Sequence, residues 1–140
     1  MTRRPLDFGA FITPFHPVGQ SPTTALEYDL VRVHAQRGYE ILHELEFPFP
    51  IAEIIWQHHE RLDGTGYPQG LKGKQICPEA RILAVADVIE SISSHRPYRP
   101  ALGIDVAIAE ITEYSGTRYD PQVVEAAVRL IREKGYTLPQ

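Results

Sequence analysis

Apolar residues recur at helical spacing along most of the chain, and clusters of proline and glycine divide them into separate segments. The pattern predicts five helices. They span residues 22–46, 51–60, 78–94, 104–114 and 121–134. Asp120 and Pro121 suit the N-cap and first position of the last helix, and Gly135 suits its C-terminal cap. Because no strand-like alternation competes with this pattern, we expect an all-α fold.

Two segments contain too many prolines and glycines for regular structure. Residues 1–21 carry Pro5, Pro14 and Pro17, and residues 63–74 carry four glycines and a proline. We expect an irregular segment over residues 1–21 and an exposed loop over residues 63–74. The 140 residues have the size of one globular domain, whose helical core we place at residues 22–135.

Charge and composition exclude several classes of protein. Eighteen acidic and fourteen basic side chains give a net charge of −4 without any Lys/Arg-rich run, which argues against a DNA partner. The apolar runs are too short to cross a bilayer and no hydrophobic signal segment stands at the N-terminus, so we expect a cytoplasmic protein without membrane insertion. Cys77 is the single cysteine, so any metal site must use histidines and carboxylates.

Asp87 stands inside the apolar stretch of residues 82–89, which is typical of a buried central helix. Burying an unpaired carboxylate costs on the order of several kcal/mol, so this side chain needs a cation or strong donors. A metal ion and a buried ion pair with an arginine explain it equally well.

His58 and His59 are adjacent at the end of the second predicted helix. Neighbouring helical residues point about 100° apart, so we expect the two rings to diverge and to serve two ions, or one ion and a substrate. The alternative is that one of them is a surface residue at a helix end. Glu60, Asp63 and the glycine-rich loop that follows favour a substrate site.

The remaining candidates are weaker when taken one at a time. His34 shares a helical stripe with Leu30 and Ile41, where a single histidine is more often a packed core residue than a ligand. Arg96 and Arg99 could form a cationic fork for a phosphate, or could be ordinary surface arginines. We expect solvent-exposed or packing roles for His16, His43 and His95.

Together these residues form a known pattern. Residues 58–68 read H-H-E-R-L-D-G-T-G-Y-P, which resembles the H-H-E-x-x-D-G-x-G-Y-P signature of HD-GYP domains, a group of HD metal-dependent phosphohydrolases. Residues 80–88 resemble the helix that carries a metal-binding aspartate in this family, and residues 96–99 resemble its R-P-Y-R/K segment. His34 falls where the family has a metal-binding histidine. The resemblance covers nearly the whole chain, from about residue 6 to residue 131.

The resemblance implies an all-α, HD-domain-like bundle that binds iron, manganese or similar ions and hydrolyses the bacterial second messenger cyclic di-GMP. Clustered cations would activate a water and neutralise charge on the phosphoryl oxygens. The implied metal ligands are Asp7, His34, His58, His59 and Asp87. Of these, the resemblance assigns catalysis to Asp7, His58 and Asp87. It implies substrate contacts for Arg96, Arg99, Tyr67 and Asp63, with the Tyr67 loop at the pocket mouth or in a protein contact.

The HD motif itself departs from the family pattern. Leu6 stands where the family has a metal-binding histidine and Ala10 where it has a lysine, whereas Asp7 and Pro14 remain in register. We also expect the helices that precede this motif in the family to be lacking, and we therefore expect one or two ions and either a homodimer or a signalling partner chain. Two hypotheses follow: an active or impaired cyclic di-GMP phosphodiesterase, and an inactive module that binds cyclic di-GMP or a partner protein.

Overall fold

A computed structural model describes residues 22–95 and 100–138, with side chains from residue 32 onward. The predicted irregular segment with Asp7 and His16, and the predicted cationic pair Arg96 and Arg99, lie outside the described residues. Within the described part the chain forms five α-helices and one short 3-10 helix, and no strand. The helices are α1 (Pro22–Leu42), α2 (Ile51–Gln57), α3 (Pro78–Ser93), α4 (Ile104–Glu113) and α5 (Pro121–Arg132). The prediction of an all-α fold with five helices is confirmed.

The first two helices end earlier than the sequence predicts. α1 ends at Leu42 and not at residue 46, because the chain turns there and the N–H of Leu45 bonds to the carbonyl three residues back. α2 ends at Gln57 and not at residue 60, where the N–H of Glu60 makes the same three-residue bond to Gln57. The loop predicted over residues 63–74 is irregular except at its end, where the 3-10 helix Gly73–Gln75 begins.

Helix α3 lies at the centre of the bundle and packs against α2, α4 and α5. Its buried side chains form one apolar cluster with residues of α4, α5 and the segment between them. The members of the cluster are Val85, Val88, Ile89, Ile92, Ala107, Ile111, Tyr119 and Val124. Burial of this surface is the main source of stability for the bundle. Among the described residues no helix is both long and apolar enough to cross a membrane.

Helix α1 contacts the rest of the molecule through α2, and it uses a different face from the one that the sequence predicts. Val33 and Ile41, whose helical spacing with Leu26 and Leu30 predicts an apolar face, are 45% and 68% exposed. The packed face instead carries Tyr39, which stacks on Trp56 with ring centroids 4.1 Å apart, and Gln36, whose Oε1 accepts the Trp56 indole N–H at 2.8 Å. Aromatic stacking and a part-buried polar bond thus join the fully buried Ala35 on the packed face of α1.

Specific caps hold the ends of α2, α3 and α5 together. The Gln57 side chain accepts the N–H of Cys77 at 2.7 Å, so the end of α2 is tied to the start of α3. Asp120 accepts the N–H of Gln122 at 2.9 Å and pairs with Arg81 of α3 at 3.1 Å. Gly135 has a φ of +64°, and the N–H that follows it bonds back to Leu130 in the last turn of α5. The cap prediction for Asp120 is confirmed, whereas the C-cap of α5 is Glu133, two residues before the Gly135 that the sequence predicts.

Candidate metal centre

Three histidines from two elements meet at one point. His34 lies on the exposed side of α1, and His58 and His59 follow the last residue of α2. The Nε2 atom of His34 is 3.3 Å from that of His58 and 3.0 Å from that of His59. One nitrogen from each ring lies within 4.8 Å of the other two. This separation is small enough for all three to contact a single ion.

The expectation that His58 and His59 diverge was wrong. Their ring centroids are only 4.0 Å apart, and both rings turn towards His34. The angle of about 100° applies to consecutive residues of a regular helix, but α2 has already ended at Gln57. The early end of the helix is therefore what brings the two rings to one side.

The contact of His58 with the backbone fixes its tautomer. Its Nδ1 lies 2.5 Å from the carbonyl oxygen of Ile55. Since a carbonyl only accepts, Nδ1 must carry the proton, and in the neutral ring the lone pair then stands on Nε2. This lone pair faces His34. A backbone carbonyl that orients the far nitrogen of a histidine ligand is a common feature of metal sites.

The surroundings keep both histidines of the turn neutral. Burial lowers the pKa of His58, although the Ile55 carbonyl and the Asp87 carboxylate oppose the shift. Burial lowers the pKa of His59 to about 2, and the nearby charges of His58 and Arg61 act in the same direction. Neutral imidazole is the form that binds metal, so protons do not compete for these nitrogens near neutral pH. The donor set therefore fits a borderline divalent cation.

Asp87 lies beside the histidines but is not buried as the sequence predicts. Its side chain is 39% exposed, and its Oδ2 lies 4.0 Å from Nδ1 of His59. The prediction of a buried carboxylate was wrong because α3 is not covered on all sides: Ile82, five residues earlier on the same helix, is 56% exposed. Arg81 on the same helix pairs with Asp120. Asp87 lies at the Nδ1 side of the His59 ring, whereas His34 lies at its Nε2 side.

The loop of residues 63–72 is held against the histidine turn by Glu60, whose role was not predicted. This carboxylate is 2% exposed, and its two oxygens accept the N–H groups of Gln69 at 2.7 Å and Leu71 at 2.9 Å. One sequence signal could have predicted this role of Glu60: it stands directly before a glycine-rich loop. The N–H groups of such a loop lack helix or sheet partners and therefore need an acceptor. Glu60 thus fixes the loop next to the site.

Tyr67 and Asp63, the two predicted substrate contacts in the loop, occupy different environments. Tyr67 is 3% exposed, and its ring stacks on that of His59 with centroids 4.8 Å apart. Asp63 is exposed, and its Oδ1 accepts both the N–H and the hydroxyl of Thr65, at 2.9 and 2.6 Å. The structure therefore brings Tyr67 into contact with the histidines, whereas Asp63 shapes the turn of the loop.

Comparisons with known proteins identify the family. Residues 16–123 match the model of the HD domain family. A cyclic di-GMP phosphodiesterase of Thermotoga maritima is 36% identical over 88% of this chain and 37% of its own length. A cyclic di-GMP phosphodiesterase response regulator of Xanthomonas campestris, RpfG, is 43% identical over 74% of this chain and 28% of its own length.

A solved structure is similar as well. The crystal structure of a cyclic GMP-AMP specific phosphodiesterase of Vibrio cholerae matches with a TM-score of 0.60 and 27% identity, over 87% of this chain and 31% of the solved chain. The chain thus spans about a third of the length of the proteins it resembles. With the signature at residues 58–68, these matches show that the chain belongs to the HD domain family, as a domain of the HD-GYP type.

Proposed function

We propose that this protein is a metal-dependent phosphodiesterase that hydrolyses cyclic di-GMP or a related cyclic dinucleotide. The observation that carries the proposal is the convergence of three histidine nitrogens within 4.8 Å, beside the half-exposed carboxylate of Asp87. The names of the relatives, which are phosphodiesterases of cyclic di-GMP and of cyclic GMP-AMP, support the same chemistry. A second messenger of this class acts inside the bacterial cell, so we place the protein in the cytoplasm.

We assign the cation to His34, His58 and His59, with Asp87 and Asp7 as the carboxylate ligands that the HD-GYP resemblance implies. Imidazole and carboxylate ligands suit iron or manganese, and we propose one or two such ions. When bound, a divalent ion activates water as a nucleophile and neutralises charge on the phosphoryl oxygens.

The side chains around the histidines have separate tasks in this proposal. Tyr67 covers one face of the His59 ring and excludes water from it. His34 and Asp87 both reach solvent, so the dinucleotide approaches past these two side chains. Arg96 and Arg99 are proposed, from the family resemblance, to bind the phosphates.

An inactive module that binds the nucleotide or a partner is the alternative. It takes its support from Leu6 and Ala10, which replace a ligand and a cation of the family motif. The names of the relatives do not favour it, because they are enzymes. Turnover separates the two hypotheses directly.

The test is hydrolysis by protein purified without oxygen and loaded with Mn²⁺ or Fe²⁺. Cyclic di-GMP and cyclic GMP-AMP are supplied separately, and the linear products are measured. His34→Asn removes one ligand, and His43→Asn, one residue beyond the end of the same helix, is the matched control, since the His43 ring packs on Tyr39 away from the cluster. We expect product from the wild type and His43→Asn and none from His34→Asn. Absence of product from the loaded wild type would contradict the proposal.

A further inference from the structure

Arg61 is a cation inside the protein, directly after the histidine turn. Its side chain is 1% exposed, among the most buried of the described large side chains. A guanidinium keeps its charge at any ordinary pH, and a buried charge is expensive unless its donors are used. The burial of this charge therefore indicates that the Arg61 side chain has a structural role.

The bonds of Arg61 go to the backbone of the turn that carries the histidines. Its Nη1 donates to the carbonyl oxygen of Glu60 at 2.9 Å and to that of His58 at 3.4 Å. The guanidinium carbon lies 5.2 Å from the centre of the Tyr119 ring, in the apolar core. Its Nε and Nη2 have no hydrogen-bond partner within the described residues. The bonds formed thus connect the core to two of the three peptide groups of the turn.

The carbonyl of His59, which lies between those of His58 and Glu60, is bonded by the glycine-rich loop. The oxygen of His59 accepts the N–H of Tyr67 at 3.3 Å. Three successive carbonyls, those of His58, His59 and Glu60, are therefore bonded to groups outside the turn. The direction of a side chain follows from the orientation of the peptide groups on both of its sides. Arg61 and Tyr67 together leave the turn little freedom to rotate His58 or His59.

We propose that Arg61 is a positioning residue for the metal centre. It acts through His58 and His59, by holding the carbonyls of their turn so that both Nε2 atoms face His34. The inference rests on the proposed function in one respect, namely that these histidines hold a cation. Its contribution is to affinity and geometry at the cation and not to contact with substrate.

Substitution of Arg61 by lysine or by methionine distinguishes the effect of its hydrogen-bond donors from the effect of its volume. An ammonium group has three donors and can bond to the same two carbonyls, but it cannot lie flat against the Tyr119 ring. Methionine fills a similar volume and makes neither bond. If Arg61 positions the turn through its bonds, lysine restores metal binding and methionine does not.

Arg118 provides the matched control. Its guanidinium lies 4.0 Å from the centre of the Tyr114 ring, and its Nη1 is also buried without a hydrogen-bond partner in the part of the chain that the structure describes. The link from residue 118 to the site region is its backbone oxygen, which accepts the N–H of Leu62 and is unchanged by substitution. Arg118→Met therefore removes a comparable arginine without touching the turn.

The experiment measures Mn²⁺ affinity by titration, the absorption spectrum of the Co²⁺-loaded protein, and the melting temperature of each variant. We expect Arg61→Met to raise the Kd for Mn²⁺ by about tenfold or more and to change the Co²⁺ spectrum, as loss of an outer contact does in other metal sites. Arg61→Lys should recover most of the affinity, and Arg118→Met should bind as the wild type does. If Arg61→Met does not fold, Arg61→Leu, which also lacks a hydrogen-bond donor, takes its place with the same criteria.

Wild-type affinity and spectrum in the Arg61→Met or Arg61→Leu protein would overturn the inference, as would equal losses in the Arg61 and Arg118 variants. These outcomes are separate from the fate of the proposed function. A wild type that binds Mn²⁺ but releases no linear dinucleotide refutes the phosphodiesterase and leaves the role of Arg61 standing. A wild type that binds no Mn²⁺ refutes both.

Discussion

Tyr67 lies flat against His59: the ring planes are inclined by 24° with centroids 4.8 Å apart, and the Tyr67 N–H donates to the His59 carbonyl. One residue of the glycine-rich loop thus contacts both the ring and the backbone of a histidine in the cluster. The loop and the metal centre are therefore in direct contact, and a substitution in the loop should change metal binding.

Replacing Tyr67 by alanine removes the stacked ring and should weaken both stability and metal binding. Loss of a buried aromatic side chain costs about 3–5 kcal/mol. The freed His59 ring should raise the Kd for Mn²⁺ by about tenfold. Tyr67→Phe keeps the stacked ring, so its affinity should stay close to that of the wild type. Urea unfolding and Mn²⁺ titration measure the two effects, and an unchanged Kd in Tyr67→Ala would refute the coupling.

Gly66 allows the loop backbone to lie directly on the turn. A methyl group at this position would overlap the backbone nitrogen of Arg61, the Cα of Glu60 and the carbonyl oxygen of His59. Since backbone cannot rotate away as a side chain can, we expect Gly66→Ala to destabilise the protein by about 3 kcal/mol and to weaken metal binding.

Gly73, in the same loop, supplies the control for that substitution. It has a φ of +47° and no atom within 4 Å of the place that a Cβ would take, so Gly73→Asn meets no steric overlap, and its cost is limited to a left-handed backbone that asparagine adopts more readily than most residues. Its free energy of unfolding should stay within about 1 kcal/mol of the wild type. Equal destabilisation by the two substitutions would show that the contact at Gly66 is unimportant.

Glu60 can be tested by Glu60→Gln, which keeps the shape and removes one acceptor. The carboxylate accepts the N–H groups of Gln69 and Leu71 with its two oxygens, whereas an amide has one oxygen and presents its NH₂ to the second donor. Leaving a buried donor without an acceptor costs about 1–3 kcal/mol. We expect that loss in chemical unfolding, together with faster proteolysis of the loop. Glu44→Gln, at an exposed position, should change neither.

The stability of the protein should depend on pH through Glu110. Burial raises the pKa of this carboxyl and the charge of Glu113 adds to the shift, while Arg118, Arg61 and a hydrogen bond from Tyr119 oppose it. A carboxyl whose pKa is higher in the folded state stabilises folding at low pH. That contribution is lost as pH rises from the unfolded value of 4.5 through the folded pKa.

Glu110→Gln removes this titration, so its stability relative to the wild type should increase as pH is raised from about 4 to about 8. Urea unfolding of both proteins across this range gives the difference directly. Glu125→Gln, an exposed change on α5, should show a difference that does not vary with pH. A constant difference for Glu110→Gln as well would mean that its carboxyl titrates alike in the folded and unfolded protein.

The fold could be predicted from the sequence because its signals are local. Helical spacing of apolar residues and the prolines that open α3 and α5 locate the helices, and Asp120 and Gly135 mark two of their ends. The face that α1 presents to α2 could not be predicted, since it depends on Tyr39 and Trp56 stacking across a distance of 17 residues in sequence.

The residues of the candidate site could be predicted from the sequence, but the arrangement of their side chains could not. The H-H-E signature pointed to His58 and His59, yet their convergence depends on the end of α2 at Gln57, which periodicity extends through residue 60. The sequence also did not show which charged residues are buried. Glu60 and Arg61 are buried although nothing in the sequence predicts it, whereas Asp87, predicted to be buried, is 39% exposed.

The central claim is that His34, His58 and His59 bind one divalent cation. X-ray absorption at the manganese edge, on protein loaded with one equivalent of Mn²⁺, counts the imidazole ligands directly. We expect three imidazole nitrogens in the wild type and in His43→Asn, one from each ring of the cluster, and fewer in His34→Asn. A first shell made only of oxygen atoms, or the same shell in His34→Asn as in the wild type, would contradict the account.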